Sequence, residues 1–227
     1  VTGFFSLSNG VRVQSQRGGW HNKYTTAISC LSGKTVNADL RVYSPPGDEP
    51  VKNGTIVFVV AKASFPSNGS AIMDAAHFAP FPGDPAALDY EDAIPDFTVP
   101  SINGLGHIQR AHSTLDDGAR VFPVTVGDFV SHSNQTCTVE CVYDVSNNRW
   151  ASTQLPRLNS CVAFRGLCRD VSPSGVLQVN LESITLNVAP RGNQAGSSAA
   201  TSSAVAQSAD PQPSTPKRKR FATVVSD

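Results

Sequence analysis

Asn53-Gly-Thr-Ile-Val-Phe-Val-Val-Ala-Lys-Ala63 and Leu158-Asn-Ser-Cys-Val-Ala-Phe-Arg-Gly-Leu-Cys168 decide how this chain is read. Each opens on a polar turn and runs into β-branched and aromatic residues, which is the composition of a strand. A turn rich in Ser, Pro, Asn and Gly follows both, Ser64 to Gly69 in one and Asp170 to Gly175 in the other. A further strand-like run comes next, Ser70 to Phe78 and Val176 to Ile184. The two halves thus repeat the same order of elements at an offset of roughly 105 residues.

Working outward, each half has a pair of strands upstream: Tyr24 to Cys30 with Ala38 to Tyr43, and Arg120 to Val130 with Gln135 to Tyr143. Cys137, Val139, Cys141 and Tyr143 alternate with Thr136, Thr138, Glu140 and Val142. Leu177, Val179 and Leu181 alternate with Gln178, Asn180 and Glu182 in the same way. Period two over such lengths predicts antiparallel strands with one buried face. Helical periodicity is weak throughout, and Ala71 to His77 reads as a strand on its length and flanking turns. The expected class is all-β: two small barrels in tandem, which bury such strands without long exposed edges. Composition places the first module at residues 1–83 and an acidic, Pro-rich connector at 84–103, followed by a second module at 104–190. Residues 191–227, rich in Ala, Ser, Thr and Pro, read as a disordered tail with too few large apolar side chains to offset its ordering entropy.

The totals narrow the partners. The 227 residues carry 18 basic and 18 acidic side chains, so the net charge is zero. The tail is positive, through Arg191 and the run Lys217, Arg218, Lys219 and Arg220, and the remainder is slightly negative. That run has the form read by nuclear import receptors, so the expected location is the nucleus. The longest apolar run, Ile56 to Ala61, falls far short of the ~20 residues a membrane span requires, so no membrane partner is expected. The chain starts at Val1, and no charged-then-apolar leader stands at this end. Five cysteines without a CxxC read as reduced, buried thiols. The acceptor patterns at Asn53, Asn68 and Asn134 include two Asn-Gly pairs, which are better read as turns.

No G-x-S-x-G, Walker lysine or G-x-G-x-x-G occurs, so neither an enzyme nor a cofactor is expected. Gly104-Leu-Gly106, after Pro100, reads as a flexible turn. His107 and His112 lack the i, i+4 spacing of a helical zinc pair. Cys137 and Cys141 stand four apart on one strand face, too far along an extended chain to share an ion. Asp84, Asp89, Glu91, Asp92 and Asp96 lack the spacing and central glycine of a calcium loop and read as a solvated connector. No metal site is expected.

Asn159-Ser-Cys-Val-Ala-Phe-Arg-Gly166, Ser172-Pro-Ser-Gly-Val-Leu177 and the closing strand to Val188 resemble the OB-folds of replication protein A-like single-strand binders. The whole chain also resembles a group of uncharacterised fungal proteins, through Gly54 to Lys62, Phe81-Pro-Gly-Asp84, Ile94-Pro-Asp-Phe97, Gly104-Leu-Gly106 and Val124 to Val130. The first resemblance implies non-catalytic binding of nucleic acid, with single-stranded DNA the expected ligand. Bases would stack on aromatic rings while cations track the phosphates. The residues of suitable type beside the central strands are Arg41, Tyr43, Lys62 and Phe65 in the first half, and Arg149, Trp150, Arg165 and Arg169 in the second. Because Arg165 alternates with Val162 and Phe164, it falls on the open face when those two are core. The competing role for Phe65 and Trp150 is core packing, the usual place of such rings in a small barrel. Two other functions fit less closely: a protein-interaction scaffold whose sheets dock a partner, and a secreted carbohydrate-binding β-sandwich favoured by the acceptor patterns.

Overall fold

The computed structural model describes residues 1–15, 18–96 and 99–188; the expected tail and its basic run lie outside them. Twelve strands account for most of this part: β1 (Thr2–Ser6), β2 (Ser8–Gln14), β3 (Trp20–Ser29), β4 (Thr35–Tyr43), β5 (Ile56–Ser64), β6 (Ala71–Pro80), β7 (Ser101–Ile108), β8 (Ser113–Thr114), β9 (Arg120–Val130), β10 (Ser133–Tyr143), β11 (Cys161–Val171) and β12 (Leu177–Leu186). One helical turn, Glu91–Ala93, sits between β6 and β7. Among the described residues no helix is long and apolar enough to cross a membrane.

The hydrogen-bonded pairing closes on itself in two places. β2 pairs with β3 and β3 with β4, both antiparallel; β4 pairs with β6 in parallel; β6 then pairs with β5, and β5 with β1. Only Leu7 separates β1 from β2, so one bent strand supplies both ends and the ring is shut. Leu7 is buried at the bend, where its N–H donates to Thr55 O and its carbonyl accepts from Gly54 N–H. The second ring runs β7, β9, β10, β12, β11 and back to β7, again with a single parallel pair, β10 with β12. Closure removes the open edges that a β-sandwich would keep, which sets the sandwich reading aside. The all-β class and the barrel architecture agree with the alternation seen in the sequence.

Burial follows the pleat. In β9 and β10 the inward residues are Phe122, Val124, Cys137, Val139 and Cys141; in β5 they are Val57, Val59 and Ala61. One apolar core runs through both rings, from Phe5, Tyr24, Leu40 and Met73 to Val162, Phe164 and Val179.

Two expectations need correction. Gly104-Leu-Gly106 is the middle of β7 and not a turn. The glycines are there for proximity: a Cβ on Gly104 would overlap the Phe164 ring, and one on Gly106 would overlap the Thr125 carbonyl oxygen. β7 also begins at Ser101, so the segment between the rings stops three residues short of the expected boundary at 103. That segment is more than a solvated strap. Its five acidic side chains are exposed, but Tyr90 is buried, donating its hydroxyl to Phe81 O (3.2 Å) and accepting from Ile56 N–H (3.1 Å).

Gly106 and Gly127 give a controlled comparison within one barrel. Gly106→Ala forces backbone to move and is expected to lower the unfolding free energy by about 1–3 kcal/mol. Gly127→Ala meets only ordinary contacts at 3.6 and 3.8 Å. Its effect is expected to stay within about 0.5 kcal/mol. Urea unfolding of both variants checks the contrast.

Candidate nucleic-acid interface

The outer wall of the first barrel at β2, β3 and β4 brings the relevant side chains together. Tyr24 and Ile28 point inward, so alternation turns His21, Lys23 and Thr25 outward. Leu40 does the same for Asp39, Arg41 and Tyr43 on β4. Register then sets them in rows: Val13, His21 and Tyr43 in one, Val11, Lys23 and Arg41 in the next. Tyr43 is 64% exposed, the largest aromatic face offered there, and its ring meets His21 edge-on at 6.1 Å. Trp20 lies at the barrel mouth, partly exposed, with the Arg12 guanidinium 4.9 Å over its ring. Lys23 is exposed and in no ion pair among the described residues.

The face is mixed in sign. Arg41 donates two hydrogen bonds to Asp74, from Nε at 2.8 Å and Nη2 at 2.6 Å. Asp74 also accepts from Ser131 N–H of the β9–β10 turn at 2.7 Å. The same turn sets the His132 ring 5.8 Å from His21. Burial, then the Arg41 and His132 charges, hold the His21 pKa below the usual histidine value, with Asp74 opposing them.

The eight residues picked from the sequence do not form one site. Arg41 and Tyr43 share the β3–β4 face. Lys62, on β5, is tied to Asp128 at 2.8 Å, and that contact is the first cause of Asp128's lowered pKa. Phe65 (7% exposed) and Trp150 (8% exposed) are core residues, so neither presents a ring to a base. The Trp150 ring packs on Tyr143 inside and carries the Arg149 guanidinium 5.3 Å away outside. Arg165 lies on the open face as alternation requires, 3.3 Å from Glu182. Arg169 is ion-paired with Asp117. Of the five selected cations, all but Arg149 therefore already have carboxylate partners.

The corresponding wall of the second barrel is poor in cations. Its outward rows pair Phe129 with Asn134, Gly127 with Thr136, Thr125 with Thr138 and Pro123 with Glu140. Phe129 is the large exposed apolar residue among them. Sequence reasoning missed Trp20, His21 and Lys23 because it starts that strand at Tyr24, and Val11 because it expects no strand before it. Extending the alternation back to Trp20 places His21 and Lys23 on the outer face.

No protein-family model matches this sequence, and no curated protein does. Among the solved structures that share its architecture are two forms of one protein. The wild-type single-stranded DNA binding protein from Thermus aquaticus superposes with a TM-score of 0.52 at 14% identity, covering 85% of this chain and 94% of that one. A deletion mutant of that protein gives 0.50 at 12% identity, covering 84% and 95%. The fold is an OB-fold. At these identities the likeness is one of fold.

The His21 shift fixes a pH dependence. With its folded pKa below the unfolded value near 6.5, the unfolded chain takes up this proton first on acidification. The stability contributed by neutral His21 is thus complete above that value and falls as the pH drops through it toward the folded pKa. The melting temperature is expected to decline between about pH 7 and pH 5, and less steeply in His21→Gln. Melts at matched ionic strength read the difference.

Proposed function

We propose that this chain binds single-stranded nucleic acid, DNA in the first instance, without catalysis, on the β2–β3–β4 wall of its first barrel. The observation that carries the reading is the pairing of Tyr43 and His21 beside Lys23 and Arg41 on an open barrel wall. It supplies an aromatic platform and cations one row apart, the combination that sequence-tolerant binding of single strands uses. The OB-fold shared with a single-stranded DNA binding protein supports it. Lys23 has no carboxylate partner among the described residues, Arg12 stands at the mouth, and Arg41 can be drawn from Asp74 by a phosphate. About three neutralised phosphates give a logarithmic salt slope near −2 for a single strand.

The two strand rings act as tandem modules in this reading, the first built from β1 to β6 and the second from β7 to β12, with the segment between β6 and β7 joining them. The run Lys217 to Arg220 serves as a nuclear import signal read by an import receptor. A second role attaches to the second barrel, whose outer wall offers Phe129 without cations. Such a wall suits a protein partner better than a phosphate chain.

Fluorescence anisotropy of a labelled single-stranded oligonucleotide tests the first reading, using the full chain with Lys217 to Arg220 replaced by alanine. Tyr43→Ala should weaken binding about tenfold, the loss of one stacked base. Lys23→Glu should weaken it and flatten the salt slope. Arg165→Glu with Arg169→Glu should leave affinity within about twofold, because both side chains are held by carboxylates away from this wall. Equal losses in all three variants, or no binding at low salt, would overturn the assignment.

A further inference from the structure

The tip of the β3–β4 hairpin lies along β11 of the other barrel. Leu31 N–H donates to Cys168 O at 2.9 Å and Ser32 N–H to Arg169 O at 3.0 Å. Lys34 Nζ lies 2.9 Å from Asp170 Oδ1, so hairpin and strand are held at three successive positions. Inside this seam Cys30 Sγ stands 3.1 Å from Cys168 Sγ, although 138 residues separate them in the chain. Both side chains belong to the buried core. The other three cysteines, Cys137, Cys141 and Cys161, show no such approach among the described hydrogen-bond contacts.

We infer that Cys30 and Cys168 are a modification site: a dithiol that a small-molecule disulfide such as oxidised glutathione converts into a covalent staple between the two barrels. The geometry is what distinguishes this pair from a set of buried thiols. The sulfurs need to close by only about 1 Å to reach bonding distance. The hairpin bonds on either side already fix the backbones that the bridge would join.

The chemistry is two thiol–disulfide exchanges. Cys30, at the hairpin tip, loses its proton, and its sulfur attacks one sulfur of oxidised glutathione. The glutathione S–S bond breaks, a mixed disulfide forms, and the departing thiolate takes up a proton. Cys168 then loses its proton and attacks the Cys30 sulfur of the mixed disulfide, expelling the second glutathione, which is protonated in turn. The protein pair is oxidised by two electrons and glutathione disulfide is reduced by two. Burial raises both thiol pKa values, so at neutral pH the folded pair is overwhelmingly protonated and exchanges slowly. The bridge therefore forms chiefly while the seam is open.

The test refolds the full chain from denaturant in oxidised glutathione, then alkylates it under denaturing conditions before measuring intact mass. Three alkylatable thiols, those of Cys137, Cys141 and Cys161, are expected in place of five. The non-reduced peptide map should contain the Cys30–Cys168 cross-link, lost on treatment with dithiothreitol. The closed loop is long, so the oxidised chain should melt about 5–15 °C above the reduced one. Cys30→Ser should abolish both the cross-link and the shift, whereas Cys161→Ser should keep them. Five alkylatable thiols, a cross-link through another cysteine, or a shift that survives Cys30→Ser would each overturn the inference. The thiol count and peptide map decide the matter even if a variant fails to refold.

Discussion

Both barrels depend on a first strand that serves two neighbours. A ring of five strands closes only when the strand that would be left at an edge pairs along that edge too, so that no strand in the ring keeps a free side. In the first ring the task is divided, with β1 on β5 and β2 on β3, and the chain bending at the buried Leu7. In the second ring β7 pairs with β11 from Ser101 to His107 and with β9 from Gly106 to Ile108, so Gly106 and His107 have a strand on each side. The backbones approach so closely there that no side chain fits at Gly106. The side chains inside each barrel, from Val59 and Met73 to Val139 and Val179, are buried because these strands shut the wall.

Joining two such rings in a chain of zero net charge has an electrostatic consequence. Cations and carboxylates are equal in number, and the seam between the barrels gathers several of both. Lys62 reaches Asp128 and Lys34 reaches Asp170 across it, while Asp74 bridges Arg41 to the Ser131 amide. Charges suited to phosphate are thereby used to hold the rings in register. Lys23 shares its row with Arg41 yet stays out of the ion pairs among the described residues.

The strands legible in the sequence are those with one wet and one dry face. Comparing the two halves bounds β9 at both ends, and alternation places β10 and β12 within a few residues because it reports burial directly. β1 and β7 escape for the opposite reason. Thr2-Gly-Phe-Phe-Ser6 and Ser101-Ile-Asn-Gly-Leu-Gly-His-Ile108 carry glycines and small polar residues that locally suggest turns. Their glycines answer to neighbouring groups far away in sequence, and no local pattern records that. The buried neighbours of Arg165 correctly turn it outward, whereas Trp150, in a loop, has no alternation to reveal that it packs on Tyr143.

By itself the sequence determined the class of this protein, an all-β chain, with the faces of most of its strands set by the pleat. Those are properties of residues close in the chain, and the period of a strand writes them there. Tertiary structure alone decided which cations are paired with carboxylates. The partners of Arg41, Lys62 and Arg169 lie 33, 66 and 52 residues away. It also decided that Cys30 meets Cys168 and that Tyr43 shares its wall with His21 and Lys23. Such meetings arise from ring closure and from the docking of one ring on the other, so they exist only once the chain has folded.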